Sequence, residues 1–427
     1  MDLLFATMPV PGHVAPLLPI ARALTSRGHH VRWCTGRVFE ERVTACGAEF
    51  VAMNPSIDHM GRNVDTLFPE RTSLKGVAKL RYDMRAVFLD PIPAQVDDLR
   101  RVLTSRPADL VLHDTAYVGA TVLEQLGGPR AVSVGVTPMM LPAADVPPFG
   151  PGLRYRSGVV ARLSYAAVRS LLDNVVFKPV YEHRDRILST LGLPAGERGL
   201  ASVSAHLHLQ NGVAALEHPR AFLPPQVKYV GALVDPVAVV ELPSWWERMV
   251  SSGRPIVHVT QGTVADMDLG QLVLPTIRAL ADEDVTVVAS VGSHDVGPLP
   301  PNAFAAPFLP YDRLLPLVSA MVTNGGFGGV QLALAQGVPL VVAGMTEDKP
   351  EVAARVERSG AGLNLRTSTP SEKAIKAAVR KVLGGQGFRA RAEMLGEEYR
   401  RHDAGELSAG YVERLIQTSA ANGVQAG

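Results

Sequence analysis

The sequence predicts an α/β protein with two doubly wound domains, and three observations lead to this fold class. Short apolar runs of the kind that form buried strands alternate with helical patterns in two series, one near 2–135 and one from about 254 onward. A proline-rich stretch, 215–250, separates the two series, as expected of an interdomain linker. The chain has 427 residues, of which 47% are hydrophobic, so it can bury two sizeable cores.

The first series contains a long loop that interrupts the alternation. Five prolines and three glycines lie within 137–158, and a loop of this length in a compact domain usually lines a site. A helix near 76–106 is expected to break at Pro91 and Pro93, because proline removes a donor and clashes with the preceding turn. Strands are predicted over 2–8, 30–35, 108–113 and 130–135, and helices over 14–27, 119–126 and 159–191.

The second series predicts a second parallel sheet and a helical end of the chain. Ligands of such sheets bind beyond the carboxyl ends of the strands, and two domains that face each other form a cleft. Strands are predicted over 255–260, 285–290, 319–323 and 339–343, and helices over 269–282, 370–384 and 388–418. We expect domains at 1–215 and 251–405, a linker at 216–250, and a C-terminal helix and tail at 406–427.

Composition excludes several function classes. Lys and Arg number 42 against 41 Asp and Glu, which gives a net charge of +1 and no electrostatic footprint for nucleic acid or an anionic membrane. Cys34 and Cys46 are the only cysteines, which excludes a disulfide framework and suits a reducing compartment. No run approaches the ~20 apolar residues that span a bilayer, and the apolar start lacks a basic signal-peptide region. We therefore expect a cytoplasmic protein without a membrane span.

The clearest local motif is the glycine-rich segment VTNGGFGGV at 322–330, which follows a strand and opens a helix. Glycines there let backbone N–H groups approach a ligand, and a helix N-terminus favours negative charge, so a diphosphate is the natural occupant. A tight strand-to-helix turn is the alternative. A second turn, Gln261-Gly262-Thr263, is either a phosphate contact or only a turn. Neither a P-loop nor a complete GxGxxG fingerprint occurs in the sequence.

His13 and Asp114 form a possible acid–base pair. His13 lies between the first strand and its helix, and Asp114 ends a buried strand, so both fall at carboxyl ends on one rim of the sheet. We expect the helix dipole to disfavour the cationic form of His13 and to keep it available as a base. A carboxylate on the far ring nitrogen would fix the tautomer and stabilise the imidazolium. Each residue alone is equally consistent with a cap.

Other polar residues are candidates with simpler alternatives. Glu347, Asp348 and Lys349 follow a strand, where acidic groups would bind sugar hydroxyls or cap the helix at 350–359. Three further pairs more often have structural roles. Neither the Asp-x-Asp pair, Asp266 and Asp268, nor the pair His206 and His208 has a further metal ligand near it in the sequence. Trp245 and Trp246 are more typical of packing between domains than of a platform for a sugar. No metal site is expected.

Two distant segments together resemble a known family. GHVAPLLPIARAL at 12–24 and the block at 302–365, which contains the glycine loop and EDKPEVAARVERSGAGL, are similar to the family 1 glycosyltransferases of GT-B fold. The similarity is greatest with the bacterial branch that decorates natural products such as macrolides, polyketides and flavonoids. The resemblance covers nearly the whole chain and implies two Rossmann-like domains that face a central cleft.

The resemblance also implies roles for individual residues. His13 matches the catalytic base and Asp114 its partner, while Asp348 matches the residue that contacts the donor sugar. At two positions the chain departs from the common pattern: Asn324 replaces a histidine and brings no positive charge, and Lys349 replaces a glutamine, which leaves the donor sugar open. The remaining matches are Phe308, which stacks on the nucleotide base, and Thr263, Gly325, Gly326, Gly328 and Gly329, which contact the diphosphate.

The resemblance implies an inverting transfer of a sugar from a nucleoside diphosphate sugar, UDP favoured over dTDP, to a small lipophilic acceptor. No cofactor or metal is implied, and the oligomeric state stays open. Met139, Met140 and Phe149 in the long loop offer an adaptable apolar wall for the acceptor. A nucleotide-sugar epimerase of the same fold and a non-catalytic auxiliary protein that binds nucleotide sugars are the alternatives, with an NAD-dependent oxidoreductase further behind.

Overall fold

The computed structural model describes residues 1–59, 64–199, 202–234, 241–262 and 268–424. Its first sheet has seven strands in the order β3-β2-β1-β4-β5-β6-β7, each parallel to its neighbours. The strands are β1 Asp2–Ala6, β2 His30–Thr35, β3 Glu49–Ala52, β4 Leu110–Asp114, β5 Ala131–Gly135, β6 His208–Asn211 and β7 Val227–Gly231.

The second sheet has six strands in the order β10-β9-β8-β11-β12-β13, again all parallel. Its central strands are buried along almost their whole length, as expected of parallel strands that are covered on both faces. The strands are β8 Ile256–Thr260, β9 Thr286–Ser290, β10 Ala303–Ala306, β11 Val318–Thr323, β12 Leu340–Val342 and β13 Gly362–Asn364.

Helices cover both faces of each sheet and bury separate apolar cores. The α-helices are Pro11–Val14, Leu18–Ser26, Glu40–Ala45, Val64–Leu67, Gly76–Asp83, Ile92–Ser105, Gly119–Gln125, Val159–Leu171, Lys178–Thr190, Trp246–Val250, Val273–Ala279, Tyr311–Leu314, Phe327–Ala335, Lys349–Ser359, Glu372–Gly384, Gln386–Arg400 and Ala404–Val424. Short 3-10 turns occupy Ala15–Leu17, Arg37–Phe39, Pro69–Ser73 and Leu315–Leu317, and π turns occupy Met84–Leu89 and Leu172–Val176.

The predicted strands are all present, with ends within two residues of the prediction. The break near Pro91 is confirmed, since the helix preceding it ends in a π turn and a new helix begins at Ile92. The strands that the sequence left unassigned are β3, β10 and β13, together with β6 and β7. They are short and lie at or next to the edges of the sheets, where a brief apolar run carries little signal.

Four predicted helices differ from the structure. The helix expected over 14–27 contains the 3-10 turn Ala15–Leu17, and the helix expected over 159–191 is divided by the π turn Leu172–Val176. The helix expected over 269–282 is only Val273–Ala279, because the side-chain oxygen of Gln261 accepts the N–H groups of Leu272 and Val273 and fixes the start. The helix expected over 388–418 is two helices with a turn between them. The carboxylate of Asp403 accepts the N–H of Glu406 at the start of the second.

That turn sends the C-terminal helix Ala404–Val424 back to the first sheet. Ala404, Ala409 and Val412 are buried in the same core as the helix Leu18–Ser26. Arg27 adds ion pairs at the surface, where such pairs contribute little. The chain therefore crosses between the two sheets twice.

The segment predicted as a linker contains regular structure. β7 is the last strand of the first sheet, and Trp245 and Trp246 pack against the second, where Trp245 stacks on Phe304 at 5.1 Å. The predicted domain boundaries stay a prediction. In the part of the chain that the structure describes, no helix is both long and apolar enough to cross a membrane.

Replacement of Val412 by Asp should destabilise the protein by about 3 kcal/mol, because it buries an unpaired charge between the returning helix and the first sheet. The measurement is the urea unfolding midpoint by circular dichroism. Gln417→Asp on the exposed face of the same helix is the control and should change the midpoint little. Equal effects of the two substitutions would contradict this packing of the helix.

Candidate active site

The candidate residues gather where the strand order reverses in each sheet. In the first sheet this point lies between β1 and β4, which are followed by the segments of His13 and Asp114. In the second it lies between β8 and β11, which are followed by Gln261 and Asn324. A crevice opens at such a point because the connections leave toward opposite faces of the sheet. Each sheet thus offers one crevice for a ligand.

His13 and Asp114 are in direct contact. The Nδ1 atom of His13 lies 2.7 Å from Oδ1 of Asp114. The His13 side chain is 20% exposed, whereas Asp114 is fully buried. The sequence predicted that these two residues share a rim, and the structure places them in one hydrogen-bonded pair.

The backbone holds the carboxylate of Asp114 in place. Its Oδ2 accepts the N–H of Met8 at 2.8 Å, and its Oδ1 accepts the N–H of Ala116 at 2.8 Å. An ionised carboxylate only accepts, so His13 donates through Nδ1 and its Nε2 is left as the acceptor. A histidine with a free Nε2 can remove a proton from a bound hydroxyl group.

The sequence predicted that the helix dipole keeps His13 neutral, which requires a lowered pKa, and this prediction is wrong. The pKa of His13 is raised above its ordinary value of 6.5. Burial lowers this pKa, but the charge and hydrogen bond of Asp114, together with the charge of Asp348, raise it by more. A nearby carboxylate outweighs a helix end because its full charge acts at hydrogen-bond distance.

Asn324, at the start of the glycine loop, and Gln261 line a small polar cavity in the second domain. Gly325 has a φ of 90°, and a Cβ atom there would lie 2.8 Å from Val342, so the turn requires glycine. The side-chain amide of Asn324 donates to the backbone carbonyl of Gln261 and joins the ends of β8 and β11. Other described residues that line the cavity are Gln271, Leu272, Ala343, Gly344, Thr346, Lys349 and Ser368.

Lys349 is the one charged residue among the described residues that line this cavity. Its ammonium group pairs with the carboxylate of Glu347, and its side chain is 12% exposed. Glu347 has a φ of 57°, an uncommon conformation for a residue with a side chain, and such strain tends to occur at functional sites.

Asp348 lies between the two sheets' candidate residues. It occupies the N-cap position of the helix Lys349–Ser359, but its side chain makes no capping bond, so the predicted capping role is wrong. Burial raises the pKa of Asp348 to about 6, with Glu347 adding to the rise and Lys349 and His13 opposing it. The charges of Asp348 and His13 each affect the pKa of the other group.

The structure places the remaining predicted residues as follows. Phe308 follows β10 and is 61% exposed. Gly328 and Gly329 lie in the first turn of the helix Phe327–Ala335, directly after Gly326. Thr263 lies outside the described residues. Their roles stay predictions.

The three predicted acceptor residues lie in the long loop. Met139 is buried, whereas Met140 and Phe149 are half-buried. The acceptor role of all three stays a prediction.

The other polar pairs have structural partners. His206 pairs with Glu124 at 2.8 Å, and Nδ1 of His208 contacts the hydroxyl of Ser133 at 2.8 Å. Of the Asp-x-Asp pair, only Asp268 is described, and its side chain accepts the N–H of Gly270. Among the described residues, no group of three or more His, Cys, Asp or Glu is arranged to hold a metal ion.

Sequence reasoning missed a buried charge cluster between the domains. Glu217, Glu351 and Arg355 are each less than about a tenth exposed and form two ion pairs. The spacing of Glu351 and Arg355 puts both on one face of the helix Lys349–Ser359, which was a detectable signal. Nothing in the sequence distinguished this face from a solvated one.

Replacement of Asp114 by Asn should lower the pKa of His13, since it removes the charge that raises it. The pKa of His13 is higher in the folded than in the unfolded protein. The contact of His13 with Asp114 therefore contributes fully to the free energy of unfolding below pH 6.5, and this contribution is lost as the pH rises through the folded-state pKa. The measurement is an NMR titration of the His13 ring protons. Asp109→Asn, at the opposite end of β4, is the control, and an unchanged midpoint in Asp114→Asn would contradict the assignment.

Comparisons with known proteins identify the family of this chain. Residues 271–405 match the family described as "Erythromycin biosynthesis protein CIII-like, C-terminal domain". The 4'-demethylrebeccamycin synthase of Lentzea aerocolonigenes is 40% identical over 97% of this chain and 99% of its own length. UDP-glycosyltransferase 2 of Phaeomoniella chlamydospora is 32% identical over 96% of this chain and 95% of its own length.

A solved structure agrees on the fold. The spinosyn rhamnosyltransferase SpnG, complexed with thymidine diphosphate, matches with a TM-score of 0.68 at 19% identity, over 97% of this chain and 100% of that chain. Two doubly wound domains that face a cleft form the GT-B fold predicted from the sequence. This chain is a GT-B glycosyltransferase and belongs to the family that includes 4'-demethylrebeccamycin synthase.

Proposed function

We propose that the protein transfers a sugar from a nucleoside diphosphate sugar to a hydroxyl group of a small lipophilic natural product, with inversion at the anomeric carbon. The contact between His13 and Asp114 at the crevice of the first sheet is the observation that carries this proposal. The family assignment gives no support to the epimerase, auxiliary-protein and oxidoreductase alternatives, because the relatives are transferases.

His13 is the general base in this proposal. Its Nε2 removes the acceptor proton, the acceptor oxygen bonds to the anomeric carbon, and the bond from that carbon to the diphosphate oxygen breaks. The electron pair leaves on the diphosphate. Asp114 stabilises the imidazolium that forms, and a base of this kind contributes ~10²–10⁴-fold to the rate.

Inversion follows because the base and the proposed diphosphate site lie on different domains. His13 belongs to the first sheet, whereas the cavity with the glycine loop belongs to the second. A base that approaches from one domain, with a leaving group held by the other, favours attack from the face opposite the diphosphate. Positioning both substrates in this way supplies further acceleration.

The proposed diphosphate site needs no metal ion. The first turn of the helix Phe327–Ala335 offers N–H groups, and Lys349 offers a positive charge in the cavity that Asn324 also lines. The N–H groups of Gly325 and Gly326 donate to the side chains of Thr323 and Asn324 and shape the turn before this helix. We assign Lys349 to the phosphates in addition to the sugar contact predicted from the sequence. Asn324, which is neutral, contributes only its amide.

Asp348 and Glu347 are proposed to bind the donor sugar, and Phe308 to stack on the nucleotide base. A carboxyl group whose pKa is about 6 can both accept and donate hydrogen bonds to hydroxyl groups near neutral pH. UDP is the proposed nucleotide, in line with the name of one relative, although the solved rhamnosyltransferase holds thymidine diphosphate. Phe308 would stack on either base.

The acceptor is proposed to lie against the loop of 137–158. Met140 and Phe149 are half-buried there and offer an apolar surface that repacks easily, while Met139 is buried behind them. These side chains belong to the first domain, as the acceptor site must if the acceptor is to reach His13.

Calorimetric titration of UDP and dTDP into the metal-free protein tests the donor site. We expect one of the two to bind, and Lys349→Gln to weaken its binding by about 10–100-fold, because one charge-assisted hydrogen bond to phosphate is lost. Lys373→Gln, an exposed lysine with the same change in charge, is the control and should have no effect. Absence of binding of both nucleotides to folded wild-type protein would refute the proposed donor site.

Replacement of His13 by Ala should reduce sugar transfer by at least ~10²-fold while nucleotide affinity is unchanged, because the base does not hold the donor. The measurement is transfer from UDP-glucose and dTDP-glucose to an acceptor panel that includes the phenol 4-methylumbelliferone. His206→Ala, at the amino end of β6 and so away from the cleft, is the matched control. Comparable rates for His13→Ala and the wild type would remove His13 from the mechanism.

A further inference from the structure

The long loop of the first domain is held near its start by Glu217, which lies between β6 and β7, and near its end by a helix of the second domain. Near its start, the N–H of Met139 donates to Oε1 of Glu217 at 2.8 Å. Near its end, the N–H groups of Gly150 and Gly152 both donate to Oε1 of Glu351, each at 2.8 Å. Glu351 belongs to the helix Lys349–Ser359, which begins at the proposed sugar-binding residues.

Arg355 joins the two attachments. Its Nε donates to Glu217 at 2.7 Å, and its Nη1 donates to the carboxylate of Glu351 at 2.9 Å. Its Nη2 donates to the carbonyl of Met139 at 3.3 Å. One buried guanidinium therefore bridges the carboxylates that hold the two ends of the loop segment 139–152.

A close backbone contact adds a second, independent observation. Gly152 has a φ of 60°, and a Cβ atom there would lie 2.5 Å from the carbonyl oxygen of Pro350. Only glycine permits this approach. Pro350 directly follows Lys349, so the loop touches the helix one residue from the proposed donor site.

Stability alone does not explain a buried cluster of this kind. Removing three charged side chains from water costs several kcal/mol per ion, and apolar residues of similar size often stabilise a protein as well or better. What a buried ionic cluster fixes is geometry, because any displacement leaves a buried charge without its partner. Here the fixed geometry is that between the loop and the helix.

We propose that Glu351, Arg355, Glu217 and Gly152 form an interdomain clamp that holds the acceptor wall at a set distance from the donor sugar. These are positioning residues, since they act through the loop and through Asp348. The inference rests on the proposed function, because the loop is assigned to the acceptor and the helix start to the donor. The clamp makes transfer to the acceptor depend on contacts that do not touch either substrate.

A matched pair of glycine variants tests the clamp. Gly152→Ala introduces a clash with Pro350, whereas Gly150, whose φ of 121° is also positive, has no neighbour within 4 Å of an added Cβ. Hydrogen exchange of the full chain, followed by mass spectrometry, should be faster by about tenfold or more in the 139–158 peptides of Gly152→Ala than of Gly150→Ala. Equal exchange in both variants would overturn the proposal.

Glu351→Gln tests the ionic part. A glutamine of the same shape keeps one accepting oxygen but presents an amide to Arg355. The backbone amide hydrogens of the 139–158 peptides should therefore exchange faster in this variant as well. For Glu351→Gln and Gly152→Ala we expect the kcat/KM for 4-methylumbelliferone to fall by about 10–100-fold, with the Kd for UDP or dTDP within about twofold of the wild type. A parallel loss of nucleotide affinity would mean general damage and would count against a positioning role.

Failure of the clamp and failure of the proposed function give different results. A wild type that binds neither UDP nor dTDP refutes the donor site, while the exchange comparison still decides whether Gly152 and Glu351 hold the loop. A wild type that transfers sugar, with variants that match it in exchange and in kcat/KM, refutes the clamp alone.

Discussion

All the ladders between named strands in the two sheets are parallel, and this constraint determines where the chemistry of the protein lies. Parallel strands bring all their carboxyl ends to one edge, and the strand order reverses once in each sheet. The segments after β1 and β4 meet at one reversal, and those after β8 and β11 meet at the other. His13, Asp114, Gln261 and Asn324 follow these four strands, while the segment of Asp348 and Lys349 follows the neighbouring strand β12.

Two carboxyl groups near the cleft differ because their surroundings differ. Asp114 is fully buried, yet two backbone N–H groups and one imidazole satisfy it, which suits an ionised group. Asp348 has no capping bond and is desolvated, so its pKa rises to about 6. The first is suited to stabilising a cation, and the second to hydrogen bonding with neutral hydroxyl groups. Both act on His13, whose pKa rises for that reason.

The two domains are connected by more than a linker. The C-terminal helix Ala404–Val424 returns to the core of the first domain, and the helix Lys349–Ser359 holds the long loop through Glu351 and Arg355. The first connection is a packed apolar contact, whereas the second depends on buried charges that lose their partners when they are displaced. The relative placement of the proposed donor and acceptor residues thus depends on contacts at the interface between the domains.

The sequence by itself determined the fold class, eight of the 13 strands that the structure describes and the positions of His13, Asp114 and the glycine loop, because apolar periodicity and motifs are local properties. Tertiary structure decided the rest. The raised pKa of His13 depends first on Asp114, 101 positions away along the chain, and then on Asp348, 335 positions away. The proposed clamp depends on which face of a charged helix meets the other domain. Charge–charge effects and burial depend on distance in space, which a linear pattern does not contain.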